Sequence, residues 1–214
     1  MKKWVRWPLL WMALLVIGSI FVGAISDMED DDFEDGTVQG WIHPAASPNP
    51  PANITTGGPM GAGDNYLNLT SLGGAGAGSR MAVVNRSQWI GDYNAVGNAF
   101  HIEADMINLG ATALNIRIGV ERSAPVQTRF VSTNAVTLNS GGGWTSVSFM
   151  LTAAELSQVE GTQTLTQVLD AVDEMRLISS VAAQWRGDSL VGSLGVDNFR
   201  VTSVPVELSR FTVE

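Results

Sequence analysis

Hydrophobic and polar residues alternate along most of the chain. Residues 99–107 place Phe100, Ile102 and Met106 on one side, with polar residues between them, and residues 114–121 alternate still more regularly. A period of two predicts strands that pack with one face and turn the other towards water or a neighbouring layer. Similar strand patterns cover residues 66–70, 80–85, 144–151, 175–178 and 194–201.

Short strands at this spacing, separated by turns, are typical of sandwiches and jelly rolls. The sequence therefore predicts an all-β fold, a two-sheet antiparallel β-sandwich of jelly-roll type. Capping-box patterns at residues 152–155 and 164–167 predict one or two short surface helices, with Leu156 and Val159 facing inward. The chain shows no internal repeat and no second domain.

The N-terminus has the pattern of an export signal. Lys2, Lys3 and Arg6 precede an uncharged apolar run at residues 8–24, which ends in small residues before an acidic stretch. We expect cleavage after Ala24 and a secreted or cell-surface bacterial protein. An uncleaved membrane anchor is the alternative, although the run is slightly shorter than the roughly 20 residues of a spanning helix.

This pattern divides the chain into three parts. They are a signal peptide at residues 1–24, the β-sandwich at residues 25–203, and a C-terminal linker or edge strand at residues 204–214. After the leader, the chain contains no lysine, and arginine supplies its positive charges. The net charge of the whole chain is −9. Such acidity disfavours nucleic acid and anionic lipid as partners, so we expect membrane contact only through an uncleaved leader. The absence of cysteine excludes disulfides and thiolate chemistry.

Two acidic segments lie near opposite ends of the β-patterned region. They are residues 32–36, closed by Gly40 and Trp41, and residues 195–199. If the first and last strands lie side by side, Glu34 and Asp197 approach one another and form a site for a metal ion, and calcium prefers such oxygen ligands. The alternative is a solvated acidic edge that discourages aggregation.

These two segments resemble the ends of bacterial jelly-roll carbohydrate-binding modules, which are galactose-binding-like domains. The resemblance implies a structural calcium ion held by Glu34 and Asp197, with backbone oxygens near Gly36 and Thr37. It also implies an exported, non-catalytic module that binds carbohydrate or another extracellular ligand. The tail at residues 204–211 resembles the linker before the C-terminal sorting domains of type IX secretion substrates.

A sugar site needs aromatic rings with polar groups beside them. Trp89, Asp92 and Tyr93 lie together in a polar loop, and Trp185 and Arg186 lie in another. These five residues are the candidate ligand-binding set. The alternative is that the aromatic residues pack structurally, because large aromatic side chains are usually buried.

Catalysis is the remaining class of function. Glu103, Asp105 and Asn108 resemble the Glu-x-Asp-x-x-Glu strand of laminarinase-like glycoside hydrolases, but Asn108 cannot act as the acid/base. The glycine run at residues 73–78 lacks the ending of a phosphate-binding loop and is predicted to be a mobile loop. We therefore predict a protein that is not an enzyme. A structural or adhesive surface protein and a glycoside hydrolase are the alternatives.

Overall fold

The computed structural model describes residue 25, residues 29–96 and residues 100–203. The leader, its expected cleavage after Ala24 and the tail at residues 204–214 lie outside the described residues. Within these ranges, no helix has the length and apolar character needed to cross a membrane.

The described ranges contain thirteen strands and one short α-helix. The elements are β1 (Asp30–Asp31), β2 (Trp41–Ile42), β3 (Ala52–Ile54), β4 (Tyr66–Leu72), β5 (Ala82–Asn85), β6 (Phe100–Asn108), β7 (Leu114–Arg122), β8 (Thr128–Ser132), β9 (Val136–Leu138), β10 (Thr145–Met150), β11 (Leu156–Glu160), α1 (Leu165–Leu169), β12 (Glu174–Ser179) and β13 (Val191–Ser203). They form two antiparallel sheets. The first has the order β10-β6-β13-β4-β3 with β1 beside β13, and the second has the order β11-β8-β7-β12-β5-β2 with β9 beside β7.

The core lies between the two sheets and contains the predicted apolar faces. Ile102 and Met106 of β6 and Ile116, Ile118 and Val120 of β7 are completely buried. Burial of each such side chain contributes about 1.5–3 kcal/mol. The predicted all-β sandwich of jelly-roll type is confirmed.

Two strands of the second sheet do not alternate, because every residue of β5 and β12 is buried. Met175 and Leu177 of β12 pack in the main core, whereas Ile178 belongs with Ala82 to a second, smaller cluster. A side chain between two core residues of a strand points to the opposite face. Other residues therefore pack on the outer face of this sheet as well, and the candidate site is formed there.

One of the two helix predictions is correct. Thr164 caps α1: its Oγ1 accepts a hydrogen bond from the Gln167 backbone N–H, and Gln167 Oε1 accepts one from the Thr164 N–H. The prediction at residues 152–155 is wrong. Leu156 begins β11, which pairs with β8, so sheet pairing outweighs the local helical pattern there.

Candidate functional site

Trp185 lies on the outer face of the second sheet. Its ring packs over Gly119 of β7, where an added Cβ would lie 2.7 Å from Trp185 Cζ3. Only glycine permits this approach of the ring to the strand. The ring is 8% exposed and clusters with Ala82, Val131 and Ile178.

Arg117 of β7 anchors the loop that carries Trp185. Its Nε donates to Ser180 O at 2.9 Å and its Nη2 donates to Val181 O at 2.7 Å. Asp188 closes the same loop by accepting a hydrogen bond from the Val181 N–H at 2.8 Å. These bonds hold the loop against the sheet.

Two arginines lie beside the indole ring. The guanidinium carbons of Arg176 and Arg129 are 4.2 Å and 4.9 Å from the Trp185 ring centroid, within the range of cation–π attraction. Arg176 Nη1 also donates to Trp185 O at 3.0 Å. The pKa of Arg176 is lowered by its burial, which outweighs the attraction of Glu174.

Buried carboxylates orient both arginines. Arg129 Nε lies 2.6 Å from Glu121 Oε2, and Arg176 Nη2 lies 2.6 Å from Glu174 Oε1. Burial raises the pKa of Glu121, but hydrogen bonds from Arg129 and Gln127 outweigh it and the pKa is lowered. Glu121 is therefore a carboxylate at neutral pH and fixes the position of the Arg129 guanidinium.

A cavity of about 320 Å³ opens beside Trp185. Its lining consists of arginines, small residues and the indole: Pro44, Ala75, Ala77, Arg80, Ala82, Arg129, Arg176, Trp185, Arg186 and Gly187. No carboxylate occurs among these lining residues. The volume falls within the roughly 300–1,000 Å³ typical of small-ligand sites.

The glycine run supplies one wall of this cavity through Ala75 and Ala77. Arg80 Nε donates to Ala75 O at 3.0 Å, and Arg80 Nη1 donates to Gly187 O at 2.6 Å. Arg80 thus joins the glycine run to the loop of Trp185. Its place at the cavity was not predicted, because nothing local to residue 80 marks it as a neighbour of residue 185.

The three predicted ligand-binding residues of the first polar loop, Trp89, Asp92 and Tyr93, do not line this cavity. Trp89 and Tyr93 are 0% exposed, so the packing interpretation applies to both and the ligand interpretation is corrected. Trp89 Nε1 donates to Asp31 Oδ2 at 2.6 Å, and Tyr93 donates to Trp89 O at 3.1 Å. Asp92 accepts hydrogen bonds from the backbone of its own turn. Only Trp185 and Arg186 of the five candidates line the cavity.

Asp31 organises this aromatic core. It is 1% exposed and accepts hydrogen bonds of 2.6 Å each from Trp41 Nε1, Trp89 Nε1 and Gln88 Nε2. Burial outweighs these bonds and raises the pKa of Asp31 to about 6. The sequence indicated an acidic edge here but not that one of its carboxylates enters the core.

The first and last strands lie side by side, which is the condition for the candidate metal site, with Asp31 of β1 opposite Phe199 of β13. Glu34 lies in the turn after β1, and its Oε1 accepts a hydrogen bond from the Asn65 N–H at 2.7 Å. Asp197 is 1% exposed. Burial, aided by the charges of nearby carboxylates, Glu34 among them, raises the pKa of Asp197 to about 7.

Backbone and amide oxygen atoms lie close together at the turn that contains Gly36 and Thr37. The Asn53 amide donates to Phe33 O at 2.7 Å and to Thr37 O at 2.8 Å. Asn53 Oδ1 is buried without a hydrogen-bond partner. In the described ranges no group of three or more His, Asp or Glu side chains is arranged to hold a metal ion. A calcium site here would therefore need backbone and amide oxygens beside its carboxylates.

The hydrolase-like residues have partners on the outer face of the first sheet. Glu103 forms an ion pair with Arg200 at 2.8 Å. Asp105 accepts a hydrogen bond from Asn198 Nδ2 at 3.0 Å. Asn108 is buried and donates to Thr112 O and Leu138 O, so it fixes the end of β6. Glu103 and Asp105 therefore each have a polar partner on this face, and position 108 supplies no third carboxyl group.

Comparisons with known proteins find similarity at the level of structure. No protein-family model and no curated protein matches the sequence.

The solved structures that are similar to this chain include an agarase and two carbohydrate-binding modules. An exo-β-agarase matches with a TM-score of 0.60 and 15% identity, over 84% of this chain and 25% of the agarase chain. The family 11 carbohydrate-binding module of Clostridium thermocellum, in complex with a β-1,3-1,4-mixed-linked tetrasaccharide, matches with a TM-score of 0.52 and 17% identity, over 83% of this chain and 95% of the module. The family 11 module of a C. thermocellum cellulosomal cellulase matches with a TM-score of 0.53 and 15% identity, with the same two coverages. The chain spans a quarter of the agarase and almost the whole length of the modules, and it shares the jelly-roll fold of these carbohydrate-binding modules.

Proposed function

We propose that this protein is an exported, non-catalytic carbohydrate-binding module whose ligand site is the cavity beside Trp185. The observation that carries the proposal is the indole held on Gly119, with four arginines around one cavity. An indole edge and guanidinium groups supply the apolar contact and the hydrogen-bond donors that a sugar requires. A guanidinium carries five N–H donors in a fixed fork, which suits the spaced oxygens of a sugar ring.

A second cavity of similar size supports this choice by contrast. It lies on the outer face of the first sheet, has a volume of about 310 Å³ and is lined by Glu103, Asp105, Ser146, Arg200 and their neighbours. It contains no aromatic side chain, and its Arg200 is already paired with Glu103. The cavity at Trp185 combines an aromatic ring with donors that are not all occupied.

Loss of one cavity arginine tests the proposal. Arg186→Ala removes an exposed guanidinium, and we expect glycan affinity to fall about tenfold or more, since a hydrogen bond to a charged group is worth about 1.5–3 kcal/mol. Arg122→Ala, at a different edge of the sheet, is the matched control and leaves affinity unchanged. Calorimetric titration with the glycans that a broad array identifies measures both. If the wild type binds nothing on the array, a structural or adhesive surface protein replaces the proposal.

Calcium is the second part of the proposal. Glu34 and Asp197 would hold the ion, together with the oxygens of the turn that contains Gly36 and Thr37. The unpartnered Asn53 Oδ1 supports a bound cation, and so does the pKa of Asp197, which is raised first by burial and then by the charges of nearby carboxylates. Such an ion would neutralise the carboxylates and fix the turn between β1 and β2.

A further inference from the structure

We infer that the cavity beside Trp185 selects glycans that carry anionic groups, either the carboxylate of a uronic acid or a sulfate ester. This selectivity rests on the proposed function, because it concerns the same cavity. It goes beyond that function by naming the chemical class of the ligand.

The charge of the lining is opposite to that of the whole chain. The chain has a net charge of −9, yet four arginines and no carboxylate line this cavity. The carboxylates that pair with Arg129 and Arg176 lie on the sheet and not among the lining residues. The open side of the cavity therefore presents positive charge.

Two of the four guanidinium groups have no carboxylate partner. The hydrogen bonds of Arg80 go to the carbonyl oxygens of Ala75 and Gly187, which do not neutralise its charge. Arg186 is exposed. Among the described residues, no ion pair includes Arg80 or Arg186. Both remain available to an anion that enters the cavity.

Anionic groups gain more from this arrangement than hydroxyl groups do. Hydrogen bonds between two charged groups are roughly twice as strong as neutral ones, and the guanidinium fork matches the paired oxygens of a carboxylate or sulfate. The acidic surface of the molecule opposes an anionic polymer, but salt screens that repulsion beyond about 8 Å at physiological ionic strength. Direct contacts in the cavity are screened much less, so the local arginines decide the preference.

Matched pairs of polysaccharides test the selectivity. One pair is polygalacturonate and its fully methyl-esterified form, and the other is a sulfated galactan and the same galactan after desulfation. At 0.15 M NaCl we expect the wild type to bind the anionic member of one pair about tenfold more tightly than its neutral counterpart. The pair that shows the preference distinguishes carboxylate from sulfate.

Variants then locate the preference. Arg186→Ala and Arg80→Ala should each remove it, whereas Arg122→Ala should retain it. Because Arg80 joins two loops, the Arg80→Ala result counts only if this variant melts at the same temperature as the wild type. If Arg80→Ala is unstable, Arg186→Ala alone decides the outcome. Equal binding of both members of each pair overturns the selectivity and leaves the proposed function standing. Anionic binding that both variants retain overturns the assignment to this cavity. No binding of any member overturns the anionic selectivity, and the glycan array then decides the proposed function.

Discussion

At the scale of single residues, Asp31 shows how a buried charge can organise a hydrophobic core. One carboxylate accepts hydrogen bonds from the indoles of Trp41 and Trp89 and from Gln88. Phe199 then packs edge-on against both indoles, with ring centroids 5.0 Å and 4.7 Å apart. The carboxylate thus sets the orientation of the rings that close this end of the sandwich.

Asp31 makes stability depend on pH. Its pKa is about 6 in the folded protein and near 3.8 in the unfolded chain, so the folded state holds the proton more tightly. Its contribution is fully present below the unfolded value and is lost as the pH rises through about 6. We expect urea unfolding with chelator present to give a lower free energy of unfolding at pH 8 than at pH 5.

The Asp31→Asn variant is the control for this assignment. Asparagine is neutral at both pH values, so the difference between them should shrink. A smaller trend of the same direction should remain, because burial also raises the pKa values of Glu29, Asp30 and Asp197. The same pH dependence in the variant as in the wild type would show that Asp31 is not responsible.

Among single residues, Trp89 is expected to make a large contribution to the stability of the core. Because its side chain is fully buried, Trp89→Ala should destabilise the fold by about 3–5 kcal/mol. The adjacent Ile90 is 38% exposed, so Ile90→Ala should cost much less. Thermal unfolding of the two variants measures the contrast. A Trp89→Ala melting temperature equal to that of the wild type would place the indole outside the core.

At the scale of elements, a very short first strand determines the geometry of the acidic edge. β1 has two residues, and its pairing with β13 places the following turn beside Asp197. Asn53 of β3 ties the turn down from the other side through Phe33 O and Thr37 O. Contacts from separate strands therefore converge on a turn that has little regular structure of its own.

Calcium should stabilise this edge. A ligand that binds only the folded state adds RT ln(1 + [L]/Kd), about 2.7 kcal/mol at a hundredfold excess over Kd. We expect calcium to raise the melting temperature and chelator to lower it. Glu34→Gln and Asp197→Asn should each lose most of this response, whereas Glu155→Gln, on another element, should keep it. Identical melting with calcium and with chelator would contradict the site.

At the scale of the whole molecule, charge is distributed unevenly. The chain is acidic overall, and four of its arginines surround the cavity on the outer face of the second sheet. Ion pairs with Glu121, Glu160 and Glu174 hold part of this charge in place. An acidic exterior keeps such a protein soluble, and the concentrated positive charge leaves one region attractive to anions.

Export is the prediction that concerns the chain as a whole. The basic start and the apolar run at residues 8–24 predict a cleaved signal. N-terminal sequencing of secreted protein should begin at Ile25, because the acidic stretch from Asp27 cannot remain in a bilayer. Full-length protein retained in the inner membrane would instead establish the uncleaved anchor.

The alternation of apolar and polar residues was sufficient to predict the fold class, because the residues of a strand that face the core can be identified from the local sequence. Residues 114–121 show this well, since their alternating apolar positions, from Leu114 to Val120, all pack in the main core. The cap at Thr164 was equally predictable, since its two hydrogen bonds join residues three apart.

Only the tertiary structure decided which residues line the cavity. Trp89 and Trp185 both occupy polar loops in the sequence, yet one lies in the core and the other beside a cavity. Arg80, Arg129, Arg176 and Arg186 come from different loops and strands, and only the pairing of β7 with β8 and β12 brings them to one face. The local sequence pattern shows which residues of a strand face the core. A site on the outer face depends instead on which loops, distant in sequence, fold over it.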